Sequence, residues 1–106
     1  MDFTEEMIEK IWEKGRAMPD QDSTEWRKDQ CGAWIRHDAY EQEHSDYGWK
    51  IVSVLPSDSG AYDHLRPFHR ENGFNVASGS ARCNITADRT SIRSTDHIDH
   101  PLNKSV

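Results

Sequence analysis

Apolar positions along the chain follow two different periods and then lose any. In FTEEMIEKIWEKG (residues 3–15), Met7, Ile8, Ile11 and Trp12 recur at helical spacing and share one face. Thr4 is a good N-cap, Glu5 and Glu6 sit at the positive end of the helix dipole, and Gly15 can close the C-terminus. Phe3 and Ile8 fall where a hydrophobic staple joins them, and Glu6 and Lys10 make an i,i+4 pair outside. The spacing predicts an amphipathic helix within residues 1–15, with its stripe used for packing.

Residues 49–55, WKIVSVL, replace that period with an apolar run bounded by Gly48 and Pro56, the best strand signal in the chain. A shorter strand-like stretch, 33–37, follows a turn candidate at Cys31-Gly32. Residues 16–25 read as a polar linker and 38–48 as a polar loop. LRPFHRENGF (65–74) reads as a short helix with Pro67 in its first turn. Beyond Gly73 the pattern fades, leaving room for one further short strand and a loose tail. The order is strand, strand, then a short helix bearing histidine.

Composition narrows this to a single α+β domain over 1–106, with a helix at 1–15, a core at 26–75 and an irregular extension at 76–106. Only 34% of residues are hydrophobic and 30% are charged, so the four Trp must supply much of the buried area. The net charge of −6 resides in the first half: residues 1–50 hold 7 Lys/Arg against 13 Asp/Glu, residues 51–106 hold 6 of each. Such acidity argues against strong non-specific duplex binding, leaves room for a local basic groove, and suits an acidic face that meets a basic partner. The N-terminal residues are acidic where a secretory signal is basic, and no apolar run reaches membrane length. A cytoplasmic protein with no membrane partner is expected. Cys31 and Cys83 belong to no CxxC pair and read as buried free thiols. Asn84-Ile85-Thr86 matches a glycosylation sequon but carries no weight without a signal peptide.

The stretch from Trp12 to Asn75 resembles the bacterial and phage HNH endonucleases of the ββα-metal class. The resemblance is carried by Arg27-Lys28-Asp29 with Cys31-Gly32, by Tyr47-Gly48-Trp49, by Pro56 and Gly60, and by Leu65, Pro67, Phe68 and His69. It implies an HNH-like core with long loops and a loose C-terminal tail. In that family the strand after Tyr-Gly-Trp carries a metal-ligating Asp and a general-base His; here those positions hold Val52 and Ser53. The family's orienting Asn falls near His64, and only His69 keeps its family identity.

Valine cannot ligate a cation, and an unactivated serine is a very poor base. Ser53 also lacks a nucleophile elbow or a paired base. The resemblance therefore implies an inactive nuclease, with no catalytic residue, no metal site and no cofactor beyond weak divalent metal or zinc binding at a vestigial His69. A competing source of ligands is the tail, where Asp96, His97, Asp99 and His100 repeat the missing letters. A retained binding surface would draw on His64, Arg66, Phe68, His69, Arg70, Phe74, Arg82 and Arg89, with Arg93 nearby. Aromatics interleaved with Arg suit single-stranded DNA, whose bases stack on them; alternatively these Arg pair with Asp63, Glu71 and Asp88.

Three functions follow from the resemblance. The first is a phage-type inhibitor of a host defence nuclease such as a CRISPR effector complex, binding the effector or its single-stranded DNA. The second is a divergent metal-dependent HNH endonuclease, and the third a non-catalytic packaging accessory.

Overall fold

The computed structural model describes residues 3–19, 21–55, 63–88 and 101–106. Helix α1 (Glu5–Trp12) obeys its sequence signals: the Thr4 hydroxyl accepts the Met7 N–H, and Lys10 pairs with Glu6 at 3.3 Å. Phe3 and Ile8 pack together against the core that buries Ile11 and Trp12. Arg27 closes the other end, donating from Nη1 to the Glu13 and Gly15 carbonyls at 2.9 and 2.8 Å.

A short 3-10 turn at His37–Ala39 and four antiparallel strand pairs make up the rest of the described secondary structure. The pairs begin with β1 (Trp26–Lys28) and β2 (Trp34–Arg36), then β3 (Trp49–Ser53) and β4 (Leu65–His69). Further on, β5 (Gly73–Asn75) pairs with β6 (Ser80–Arg82), and β7 (Ile85–Ala87) with β8 (Asn103–Ser105). The α+β class expected from the sequence is the class observed. Cross-strand pairs steady the first hairpin: the Lys28 ammonium lies 4.8 Å from the facing Trp34 ring, and the Arg36 guanidinium 5.6 Å from the facing Trp26 ring. Trp12, Trp49, Ile11, Ile35 and Leu65 form the central cluster, with Trp12 and Trp49 ring centroids 5.3 Å apart.

Three expectations are corrected. Residues 65–69 form a strand, and no helix follows it among the described residues, so the strand-strand-helix order is not found. Pro67 suggested a helix start, yet it suits the strand. The bonds Arg70 N–H to Gly48 O and Val54 N–H to His64 O make those two pairs the hydrogen-bonded ones. By alternation Ile51 opposite Pro67 is a non-bonded pair, and the missing N–H costs the ladder nothing. Residues 101–106, expected in a loose tail, are likewise held in place. The Asn103 side chain clamps the Trp34 backbone, accepting from its N–H at 2.7 Å and donating to its carbonyl at 2.9 Å. Finally, Cys31 and Cys83 form a disulfide, with Cys31 half-buried and Cys83 exposed.

Two glycines are dictated by geometry. Gly32 has φ +82° in the β1–β2 turn, a conformation that disfavours side chains, and a Cβ on Gly48 would meet the Gln42 carbonyl oxygen at 2.2 Å.

Asp29, only 3% exposed, joins the hairpins through four donors. Its Oδ1 accepts the N–H groups of Cys31 and Ala33 at 2.9 and 2.8 Å. Its Oδ2 accepts the His69 N–H and the Asn72 amide, both at 2.9 Å. Asn72 passes the connection on: its Nδ2 also donates to the Ile85 carbonyl, and its Oδ1 accepts the Asn84 and Ile85 N–H groups. Asp29→Ala should cost about 3–5 kcal/mol in urea denaturation, since it strands four buried donors. Asp29→Asn should recover only part of that, because its NH2 faces donors.

The disulfide ties the same segments as this polar network, where the Thr86 hydroxyl donates to the Cys31 carbonyl and the Ala87 N–H to the Gly32 carbonyl. Its partners are 52 residues apart, a loop whose closure is worth about 4 kcal/mol by chain entropy. Reduction should lower the denaturation midpoint accordingly while leaving the near-UV circular dichroism of the Trp cluster intact below the transition. Loss of that signal on reduction alone would show that the hydrogen bonds cannot hold the join.

Candidate functional site

The positions expected to carry chemistry lie on the β3–β4 hairpin. Val52 faces Arg66 and Ser53 faces Leu65. The Ser53 hydroxyl donates to the Leu55 carbonyl at 3.0 Å, so it is tied to its own strand end. His69 is 1% exposed and both ring nitrogens are engaged: Nε2 donates to the Asp46 carbonyl at 2.8 Å, and Nδ1 accepts the Glu71 N–H at 3.1 Å. A metal ion does not fit this set. Valine offers no donor, and each nitrogen of His69 would have to abandon a hydrogen bond made in a buried place. Among the described residues no group of three His, Cys, Asp or Glu side chains converges on a possible ion position. Asp96, His97, Asp99 and His100 lie outside the described residues, as do Pro56, Gly60, Arg89 and Arg93.

Two of the expected binding residues, Phe68 and His69, are buried. Phe68 is fully buried, 6.4 Å between ring centroids from the half-buried Phe74, so it is core and cannot stack a base in the folded chain. Arg70 donates from Nε to the Ser45 carbonyl at 2.8 Å and lies 3.8 Å from the Glu71 carboxylate. Arg82, exposed on β6, extends over Gly73 across the strand pair. His64 begins the turn into β4 and accepts the Val54 N–H on its carbonyl at 2.7 Å. Arg66 donates from Nη1 to the carbonyls of Asp63 and Leu65, both at 2.7 Å. Among the described residues the expected pairing with Glu71 is made by Arg70, whereas Arg66 makes no ion pair with Asp63 and Arg82 makes none with an acidic side chain.

Arg66 instead belongs to a cleft that sequence spacing did not reveal. The cleft holds about 160 Å³ and is lined by Lys14, Arg16, Lys28, Asp29, Arg66 and Pro67, with Gly15 and Gln30 completing it. Two contacts assemble it. Arg16 and Lys28 exchange backbone hydrogen bonds at 2.8 and 2.9 Å, drawing the chain after α1 alongside β1. Lys14 reaches β4 and donates from Nζ to the Leu65 carbonyl at 3.1 Å. This closes the outer edge of β4, where Lys14 takes a carbonyl, Pro67 has no N–H, and Asp29 takes the His69 N–H. Burial and the neighbouring Arg66 charge hold the Lys14 pKa below its ordinary value, against a smaller opposing pull from Asp63.

A second feature is acidic. Glu5, Glu6, Glu9 and Asp38 line a shallow groove with His37 and Tyr40, and His37 Nε2 pairs with the Glu9 carboxylate. Four of the 13 carboxylates in residues 1–50 thus gather on one side of α1. No helix among the described residues is long and apolar enough to cross a membrane.

Comparison with family models, with curated proteins and with solved structures finds no match to this chain.

Zinc or nickel added to the native protein should leave its melting temperature unmoved at His69, because binding that favours the folded state raises the midpoint and this ring has no nitrogen to give. A metal-induced rise that disappears in His69→Gln would reverse the assignment.

Proposed function

We propose that this protein is a catalytically inactive HNH-like scaffold that inhibits a host nucleic-acid defence complex, in the manner of an anti-CRISPR protein. It acts by occupancy, binding the effector or its exposed single-stranded DNA. In this reading β3 is the ancestral strand whose polar pair became Val52 and Ser53, and β4, which bears His69, stands where the family has its closing helix.

The observation that carries the reading is the use made of the former chemical positions. Val52 has no donor atom, the Ser53 hydroxyl is bound to Leu55, and His69 spends both ring nitrogens on Asp46 and Glu71. Side chains that would have to move metal and protons serve instead to hold the hairpin. Two charged surfaces remain for a partner: the acidic groove along α1 suits a basic effector, and the basic cleft beside β4 suits nucleic acid.

Expression in a panel of bacterial hosts, each carrying one CRISPR system, should raise phage plating efficiency in at least one of them. Glu5→Lys with Glu6→Lys should weaken that protection through the acidic groove without unfolding the chain. The purified protein should leave supercoiled plasmid and single-stranded DNA intact with Mg²⁺, Mn²⁺ or Ni²⁺. Metal-dependent cleavage that is abolished in a folded Ser53→Ala or His69→Gln variant would overturn the proposal in favour of a divergent nuclease.

A further inference from the structure

We propose that the cleft between the end of α1, β1 and the outer edge of β4 is a phosphate-binding site, with Lys14, Arg16 and Arg66 as its cationic wall. The chemistry it would recognise is a phosphoryl oxyanion, whether in a nucleic-acid backbone or as a free phosphate group.

Four observations point there. First, the cleft gathers four cationic residues, Lys14, Arg16, Lys28 and Arg66, in a chain whose net charge is −6. Chance would scatter them; the Arg16–Lys28 bridge and the Lys14 bond to Leu65 hold them together. Second, the one carboxylate among the described lining residues is already committed. Each oxygen of Asp29 accepts two donors from the fold, which turns its hydrogen-bonding capacity inward and away from the neighbouring cations. Third, neither Arg16 nor Arg66 makes an ion pair among the described residues, while Arg36 and Arg70 do. Arg66 holds its guanidinium on two carbonyls through Nη1 alone, which fixes the group in place while its other nitrogens keep their donors. Fourth, Lys14 is held below its ordinary pKa by burial and then by the charge of Arg66, against a smaller opposing pull from Asp63, so two of these cations lie close enough to feel each other.

An anion in the cleft would relieve that repulsion, and the planar fork of an arginine matches a phosphate edge. Lys28 contributes its charge from beneath, with its ammonium over the Trp34 ring. Among the described residues no aromatic side chain lines the cleft, which favours contacts to phosphate over contacts to bases. Such binding positions a strand without reading its sequence.

This site rests on the proposal that the protein works by binding. Its test contains no defence complex, so failure of inhibition and failure of the cleft are read separately. The full chain is titrated with inorganic phosphate, with an oligothymidylate single strand and with a duplex of equal length, by fluorescence anisotropy for the DNAs and by chemical-shift perturbation for phosphate. The expected result is a single-strand affinity that falls as salt rises and drops about tenfold or more in Arg16→Glu and in Arg66→Glu. Arg16 is exposed and joined to β1 by backbone bonds alone, so its variant keeps the fold if Arg66→Glu does not. Arg82→Glu, a cation outside the cleft, should leave the affinity unchanged.

Shifts at Arg16 and Arg66 with inorganic phosphate but no DNA affinity would assign the site to free phosphate. Tighter binding of the duplex, still lost in Arg16→Glu, would assign it to double-stranded DNA. No response to any of the three probes, or an Arg82→Glu loss equal to that of Arg16→Glu, would overturn the proposal.

Discussion

A single buried carboxylate organises this protein. Asp29 sits in the β1–β2 turn, yet two of its four hydrogen bonds go to residues 40 and 43 positions away. A buried carboxylate that accepts fewer donors than it can hold is costly, and one that accepts four from fixed backbone and amide groups defines a geometry. Because Oδ1 is held by its own turn and Oδ2 by β4 and Asn72, the β1–β2 and β3–β4 hairpins cannot slide past one another. Asn72 then extends the same network to β7. Short strand pairs of this kind are marginal alone. Here the polar join substitutes for the broad sheet or large apolar core that the composition does not provide.

The same join explains why the chemistry expected from the HNH resemblance is hard to place on this chain. His69 donates its backbone N–H to Asp29 and commits its ring to Asp46 and Glu71, so the residue most suggestive of a metal site is a structural one. The disulfide reinforces the arrangement from outside, linking the turn that holds Asp29 to the segment that Asn72 holds. What the hairpins leave over is surface charge, sorted by the fold into an acidic groove on one side of α1 and a basic cleft where α1 meets β4. A protein that presents an acidic groove and a basic cleft is suited to binding partners of opposite charge.

Local signals decided much of the structure. The cap, staple and ion pair of α1 stand among residues within five positions of one another, and the helix formed where they placed it. The run ending at Ser53 is a strand because an apolar, β-branched stretch between Gly48 and Pro56 has few alternatives. Gly32 and Gly48 marked real backbone constraints for the same local reason. Pro67 was ambiguous by sequence, since a proline suits both a helix start and a non-bonded strand position, and only the register with Ile51 resolved it.

The tertiary structure decided everything that depends on distant partners. The disulfide spans 52 residues and no spacing rule names it; β8 forms because Asn103 finds the backbone of Trp34, 69 positions away. Arg66 looked like part of an arginine–phenylalanine surface with Phe68 and Arg70, but Phe68 is fully buried beside Phe74. The companions of Arg66 are instead Lys14, Arg16 and Lys28. Sequence fixes which side chains can donate, accept or carry charge, because those are properties of single residues. Which of them meet is settled by backbone pairing over long separations, and that is where both Asp29 and the basic cleft acquire their meaning.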